Sequence, residues 1–359
     1  MNLATGERWR KQETKSKDQN SGACRLKRKR TRMKNKLNHK HVGRHASGKL
    51  LGLLLMAAAL VGLKSMDAVA AMRFQFTEMT APGGITPGVF GINNHGTLVG
   101  NYCLPGSPTD IRGFLHREGV FTDVVIPGAG GDPNPFFGYN WLAELNSIND
   151  AGTAVGTYTD AHSFFQSFLR SPTGEITLLP DAISKGTSSM YGINDAGALV
   201  GFGATDLESV LNNVGLHGFL WRHGRYAQID YPGSLGTACS ALNDEGQIVG
   251  WYVDASQNTH GFLLDEHGFR TLDVPGAVST FALGINNQSQ IVGRYVDASQ
   301  VQHGFLLSHG DYVTVDFPGQ TGNELYGINE HGEMVGNYNY ESNAFIATIV
   351  RPEGEEASR

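Results

Sequence analysis

The sequence predicts an all-β fold, a six-bladed β-propeller of four-stranded blades closed by an N-terminal strand that completes the last blade. Three observations predict it. A phrase with the consensus Gly-Ile-Asn-Asp-x-Gly-x-Leu-Val-Gly-x-Tyr starts at Gly91, Ser147, Gly192, Ala241, Gly284 and Gly327, at spacings of 56, 45, 49, 43 and 43 residues. Short apolar runs alternate with tight-turn residues inside each copy, four to a copy, which is the pattern of propeller blades. The piece missing from the sixth copy stands just ahead of the first.

Within a copy the first strand ends at the Ile-Asn pair. A turn such as Asp195-Ala196-Gly197 or Asp244-Glu245-Gly246 follows, its Gly supplying the positive φ that a tight hairpin needs. The second strand is Leu199–Phe202 or Ile248–Tyr252, the third His260–Leu264, and the fourth Phe269–Val274, stopped by Pro275-Gly276. A pair ending in Phe marks every third strand, at Phe114, Phe168, Phe219, Phe262, Phe305 and Phe345. In the first five copies a proline follows 13 or 14 residues after the pair begins, at Pro127, Pro180, Pro232, Pro275 and Pro318.

The sixth copy ends after its third strand, near Val350, with no fourth strand and no Pro-Gly. Arg73-Phe-Gln-Phe-Thr-Glu-Met79, followed by Pro82-Gly83, supplies that strand. The nine residues from Pro82 to Gly91 match those from Pro232 to Ala241, Pro275 to Gly284 and Pro318 to Gly327. A first strand completing the last blade leaves no open sheet edge between the ends of the array.

Charge divides the chain unevenly. Residues 1–71 hold 17 of the 28 Lys and Arg and four acids, leaving 11 basic and 30 acidic residues in 72–359, a net of −19. The basic stretch Arg25–Arg32, the uncharged apolar run Leu50–Leu63 and the small residues Asp67-Ala-Val-Ala-Ala71 follow the order of a secretory signal peptide. The run of 14 residues is short of the roughly 20 that a membrane-spanning helix needs. The expected division is therefore a signal peptide with a long basic region over 1–71, a propeller over 72–349 and an acidic tail over 350–359. Met1 and Met33 both stand as possible starts. The expected location is secreted or periplasmic, with no membrane span after cleavage. A basic nucleic-acid-binding arm would need a basic folded partner, and the acidic repeat region argues against one.

Cys24 leaves with the signal. Cys103 and Cys239 lie three repeats apart, which in a ring places them across its width, beyond the 4.4–6.8 Å Cα separation of a disulfide. Two unpaired thiols are expected.

The repeat resembles the HAF-family extracellular repeat of bacteria, named for a His-Ala-Phe-like phrase. That phrase reads His217-Gly-Phe219, His260-Gly-Phe262 and His303-Gly-Phe305 here, with departures at Arg112-Gly-Phe, Gln166-Ser-Phe and Asn343-Ala-Phe. The resemblance implies export and a β-rich repeat fold, and it carries no catalytic residues with it.

Four groups of residues are candidates for chemistry. His217, His260 and His303 occupy equivalent third strands of different blades, which diverge outward, so they cannot meet one ion at zinc distances and are expected to hold blade hydrogen bonds. Asn93, Asn149, Asn194, Asn243, Asn286 and Asn329 end the innermost strands; a channel-lining ring and a bond to their own turn backbone both fit, the turn chemistry more strongly. Asp254 and Asp297, with Asp160 and Asp206 at comparable points, are expected as solvated turn acids, because a calcium site needs six to eight oxygens. No cofactor or metal site is expected, although the net −19 is compatible with weak divalent-cation binding.

The most individual feature is an insertion over 130–141, which brings Phe136, Phe137, Tyr139 and Trp141 to the loop between the first two blades. These four are the expected ligand-binding residues, since aromatic rings suit a half-wet site. A lid tucking its aromatics into the channel mouth is the competing reading. A second insertion, Gly203–Leu216, lengthens a loop that opens on the same face. No Gly-x-Ser-x-Gly elbow, zinc helix, phosphate loop or dinucleotide fingerprint is present, and catalytic residues stay unassigned. The reading that follows is a non-enzymatic exported binding or scaffold module, monomeric, with an extracellular polysaccharide or protein on one propeller face. The alternative is a hydrolase or lyase on an extracellular polymer, using carboxylates from several blades at the channel mouth.

Overall fold

The computed structural model describes residues 72–81, 87–104, 107–129, 140–160, 164–183, 186–339 and 343–350. Residues 1–71, expected to be a signal peptide, residues 351–359 of the acidic tail and residues 130–139 of the aromatic insertion lie outside them. Two units divide the chain, Met1–Ala57 and Ala58–Arg359, and every described residue belongs to the second.

Six antiparallel sheets form the ring. β1 (Arg73–Met79) comes first in the chain. Blade 1 is β2 (Gly88–Ile92), β3 (Leu98–Leu104), β4 (Ser107–Arg117) and β5 (Val120–Val124). The two-residue β6 (Asn140–Trp141) then pairs in parallel with β4. Blade 2 is β7 (Glu144–Ile148), β8 (Ala154–Thr159), β9 (Phe165–Arg170) and β10 (Ile176–Leu178); blade 3 is β11 (Thr187–Ile193), β12 (Leu199–Ala204), β13 (His217–Arg222) and β14 (Arg225–Ile229). Blade 4 is β15 (Gly236–Leu242), β16 (Ile248–Val253), β17 (Thr259–Asp265) and β18 (Gly268–Leu272); blade 5 is β19 (Ser279–Ile285), β20 (Ile291–Val296), β21 (Gln302–Ser308) and β22 (Asp311–Thr314). Blade 6 takes β23 (Glu324–Ile328), β24 (Glu333–Tyr338) and β25 (Asn343–Val350) from one end of the repeat region and β1 from the other.

The closure expected from the proline spacing is present residue by residue. β1 pairs antiparallel with β25 from Arg73 opposite Val350 to Met79 opposite Ala344. Its inward residues bury apolar surface: Phe76 meets Phe317 and Phe345 edge-on, at 5.6 Å between centroids in each case.

Two departures from the four-stranded plan come from the insertions. β6 adds a short fifth strand to blade 1. The Gly203–Leu216 stretch contains α1 (Leu207–Asn212), started by the Asp206 carboxylate accepting the Ser209 N–H at 2.8 Å and stopped by Asn213 at φ 57°. Side-chain capping and a left-handed residue at the two ends suffice to define this single six-residue turn.

One backbone device recurs in every blade. The first strand carries a β-bulge, so that the ladder register shifts at Phe90, Asn146, Tyr191, Ser240, Leu283 and Tyr326. The residue before each bulge packs outward between sheets: Val89, Leu145, Met190, Cys239, Ala282 and Leu325 are fully buried. The Val-Gly pair of the repeat has its reason here. A Cβ at Gly156 would collide with the Glu144 carbonyl oxygen and lie 2.6 Å from the ring of Phe168, the residue directly opposite it in register. The Phe of the third strand fills the space that glycine leaves, and Phe114, Phe168, Phe262, Phe305 and Phe345 are all fully buried.

Candidate functional site at the central channel

A strand order of innermost to outermost fixes two unlike ends. The Asn-Asp turns lie on one end of the ring, the turn face. The loops between second and third strands, and the links from blade to blade, lie on the opposite end, the insertion face.

At the turn face each repeated asparagine does two things. Its side-chain oxygen accepts backbone N–H bonds inside its own turn, as in Thr97→Asn93, Thr153→Asn149 and Ala198→Asn194, each at 2.9 Å. Its side-chain N–H donates to the backbone carbonyl of the equivalent asparagine one blade on: Asn93 to Asn149, Asn149 to Asn194, Asn194 to Asn243, Asn243 to Asn286, Asn286 to Asn329 and Asn329 to Asn93, at 3.0–3.2 Å. The turn reading holds, and the ring it shares the residue with is a continuous belt. A second belt follows one residue later. The backbone N–H of Asn94, Asp150, Asp195, Asp244, Asn287 and Glu330 each donates at 2.7–2.8 Å to the side chain of the next member, the last returning to Asn94. Four of the six are acids. Burial first, and the neighbouring Asp150 and Asp244 charges after it, push the Asp195 carboxyl above its ordinary value.

Between the belts and the insertion face runs a cavity of about 420 Å³. An apolar collar, Ile92, Ile148, Ile193, Leu242, Ile285 and Ile328, lines its middle. Above the collar stand the six bulged residues, two of them in contact: Phe90 meets Tyr326 edge-on at 5.0 Å. Where successive first strands crowd the axis the repeat uses small residues; a Cβ on Gly192 would lie 2.8 Å from the Ala241 Cα.

Toward the insertion face the lining becomes lopsided. Glu144, Thr157, Phe165, Thr187, Ser188, Ser189, Phe202, Gly203, Val210 and Trp251 all come from blades 2, 3 and 4, whereas blades 5, 6 and 1 reach the same level through their bulged residues. α1 delivers Val210 to this wall. Phe202 stacks on Tyr191 at 5.1 Å and 7°, and Trp251 abuts Phe202 at 6.2 Å. Glu144 accepts the Asn101 side-chain N–H at 2.6 Å, and Asn146 donates to Thr157 Oγ1 and to the Met190 carbonyl, both at 2.9 Å. In blade 5 Arg294 lies 4.1 Å over Phe281, donates to Gln302 at 2.7 Å and approaches Glu324 at 3.5 Å.

Of the four residues expected to bind ligand, Phe136, Phe137 and Tyr139 lie outside the described residues. Trp141 is placed only by its backbone, opposite Ile111 in β6. The channel wall also holds Tyr191, Phe202 and Trp251, which the sequence reading did not single out. A signal for them exists: the residue before the phrase and the aromatic-or-polar position after its Val-Gly differ from copy to copy between constant neighbours.

The other candidates resolve individually. The Nδ1 atoms of His217, His260 and His303 face Asp230, Asp273 and Asp316 at 3.1, 3.0 and 2.6 Å within their own blades. In blades 4 and 5 Nε2 also faces Asp254 and Asp297, at 3.4 and 3.6 Å. Those two aspartates cap their own loops: Asp254 accepts from the Ser256 and Asn258 N–H groups, and Asp297 from those of Ser299 and Val301, all at 2.8 Å. These bonds, before any other cause, hold both carboxyls below their ordinary value. Cys103 and Cys239 are both free, and burial raises both thiols. No group of three or more His, Cys, Asp or Glu arranged to hold a metal occurs among the described residues.

No protein-family model and no curated protein matches the sequence. Solved structures do. A streptogramin B lyase is 11% identical with a TM-score of 0.45, covering 77% of this chain and 98% of its own. A putative TolB from Agrobacterium tumefaciens is 11% identical with a TM-score of 0.46, covering 79% and 100%. A lectin of Aleuria aurantia, solved with a fucosyl disaccharide, is 10% identical with a TM-score of 0.44, covering 75% and 98%. These likenesses are at the level of fold. Among the described residues no helix is long and apolar enough to cross a membrane.

Proposed function

We propose that this protein is an exported binding module whose ligand site is the channel mouth on the insertion face. One observation carries the reading: blade identity is erased at the turn face, where both belts repeat around the ring, and asserted at the other, where blades 2–4 line the cavity with their own aromatic and polar residues. An apolar and aromatic concavity with a few placed polar groups is the form that small-ligand sites usually take. Export follows from the basic, apolar and small-residue order of 1–71, and from the resemblance of the repeat to an extracellular family. An extracellular polysaccharide or protein is the proposed partner, and the aromatic insertion is proposed to contact it.

Carboxylate placement supports binding over hydrolysis. Glycoside hydrolysis uses two carboxyl groups about 5–10 Å apart. At the insertion end the described lining holds one, Glu144; its blade-6 equivalent, Glu324, is 3% exposed and faces Arg294.

Retention of the protein on immobilised polysaccharides and on extracellular protein fractions tests the reading, with Tyr191→Ala, Trp251→Ala and Trp141→Ala alongside the parent. Retention that all three substitutions leave intact would remove the ligand site from the channel mouth.

A further inference from the structure

We propose that the channel holds one unbranched alkyl chain, that of a free amphiphile whose head stays at the insertion face and whose tail passes through the apolar collar. This rests on the channel mouth being the ligand site, and it adds a second, small occupant beneath the polymer or protein proposed there. Three features of the channel lead to it.

The first is shape. The blade 3 part of the lining follows one strand from Thr187 to Asp195, about 25 Å at the rise of a strand. Spread over that length, the cavity of about 420 Å³ averages roughly 17 Å² in cross-section. That is the girth of one extended hydrocarbon chain and less than that of a pyranose ring.

The second is the reason the bore stays narrow. Successive inner strands approach one another backbone to backbone. A Cβ on Gly192 would lie 2.8 Å from the Ala241 Cα, one on Gly91 3.0 Å from the Ser147 Cα, one on Gly284 3.2 Å from the Gly327 Cα and one on Gly327 3.4 Å from the Gly91 Cα. Just beyond these contacts the axis is ringed by the collar, Ile92, Ile148, Ile193, Leu242, Ile285 and Ile328. Isoleucine is stiff at χ1, so a ring of it makes a bore that selects by width.

The third is the state of the polar groups at either end of the collar. On the turn side each belt asparagine donates to the next blade, as Asn194 does to Asn243, and accepts inside its own turn, as from Ala198. On the insertion side Asn146 donates to Thr157 and to the Met190 carbonyl. These amides meet their needs within the protein, and the collar between them offers a ligand apolar contact. From Ser188 to Ile193 is about 16 Å at the strand rise, room for about a dozen extended carbons.

Calorimetry of the full-length protein with n-octanol, n-decanol and the branched decanol isomer 2-propylheptanol tests the proposal. Affinity should rise about fourfold per methylene from n-octanol to n-decanol. The branched isomer, equal in composition and wider, should bind about tenfold more weakly, because extra width strains a packed bore. Ile285→Phe fills the bore and should abolish n-decanol binding. Ile193→Ala with Ile328→Ala, on opposite blades, widens it and should admit the branched isomer. Thermal melts check that the variants fold, and the comparison of isomers on the parent decides the matter even where one does not. Equal affinity for the two isomers, no binding of n-decanol, or an indifferent Ile285→Phe would overturn the proposal. The protein should stay in the supernatant of sedimented phosphatidylcholine vesicles; co-sedimentation that Ile285→Phe abolishes would overturn the free amphiphile as the source of the chain. Retention on a polysaccharide that Tyr191→Ala abolishes, without n-decanol binding, would sink the alkyl-chain assignment alone, whereas loss of both signals would sink the channel site with it.

Discussion

The side-chain amide of Asn329 donates to the backbone carbonyl of Asn93 at 3.2 Å, across 236 residues of chain. The other five bonds of the belt join neighbours in sequence; this one joins the last blade to the first and turns a row into a circle. Asn329 also accepts the His331 and Glu333 N–H groups, at 3.1 and 3.0 Å. Asn329→Ala therefore removes two accepted and two donated bonds, the second donated one running to the Glu333 carboxylate at 2.7 Å, in a position only 3% exposed. A loss of about 2–3 kcal/mol is expected, measured by denaturant unfolding. A loss within error of zero would show that the belt is decorative.

The shared sixth blade makes a second prediction. Phe76 is half-buried, against Phe317 and Phe345. Phe76→Ala should cost about 2–3 kcal/mol, the low end for a large aromatic because the ring is only partly enclosed. Removal of Arg73–Met79 exposes the whole edge of β25, so the protein should also aggregate, since an unpaired strand edge templates association. Light scattering and thermal melts report both.

Thiol chemistry separates the two cysteines. Cys239 is fully buried and its thiol is held protonated, whereas Cys103 is half-buried. In a Cys24→Ser chain, an aromatic disulfide reagent should modify Cys103 slowly and Cys239 only on unfolding, because the thiolate is the reacting form. Fast modification of two thiols in the folded protein would contradict the packing.

Acid should reveal the loop aspartates. Loop N–H groups favour the charged form of Asp254 and Asp297 and hold both carboxyls below their ordinary value. A depressed carboxyl stabilises the fold above its unfolded value and loses that contribution as pH falls through its native one. The double substitution Asp254→Ala, Asp297→Ala should lower the melting temperature at pH 7, and the gap from the parent should narrow below about pH 4. A gap that widens in acid would reverse the assignment.

Much of the fold was legible in the residues because blades are local. Hairpin turns, the buried Phe and the terminal Pro-Gly each act within about fifty residues, so six copies and even the divided blade could be counted from spacing. The belts were half legible. Asn194 bonding its own turn is a local event, but its donation to Asn243 exists only once the ring brings the two together. The site was the least legible part. Tyr191 and Tyr326 face the axis because a bulge rotates them out of the ladder, and a bulge is a matter of hydrogen-bond register that alternation of residue types does not express. Of the aromatic insertion only Asn140 and Trp141 lie among the described residues, and β6 fixes Trp141 by its backbone alone.

The pairing of Met79 with Ala344 sets an order of events. The first strand of the ring to leave a ribosome has no partner until the last has followed it. For nearly the whole of its delivery the chain is a set of blades with an unfinished neighbour, and the belt of asparagines stays open until Asn329 follows. Final stability thus arrives in a single late step, when 343–350 meets 73–79. Any truncation upstream of that meeting yields a chain that a quality-control protease can tell from a finished one by its open edge.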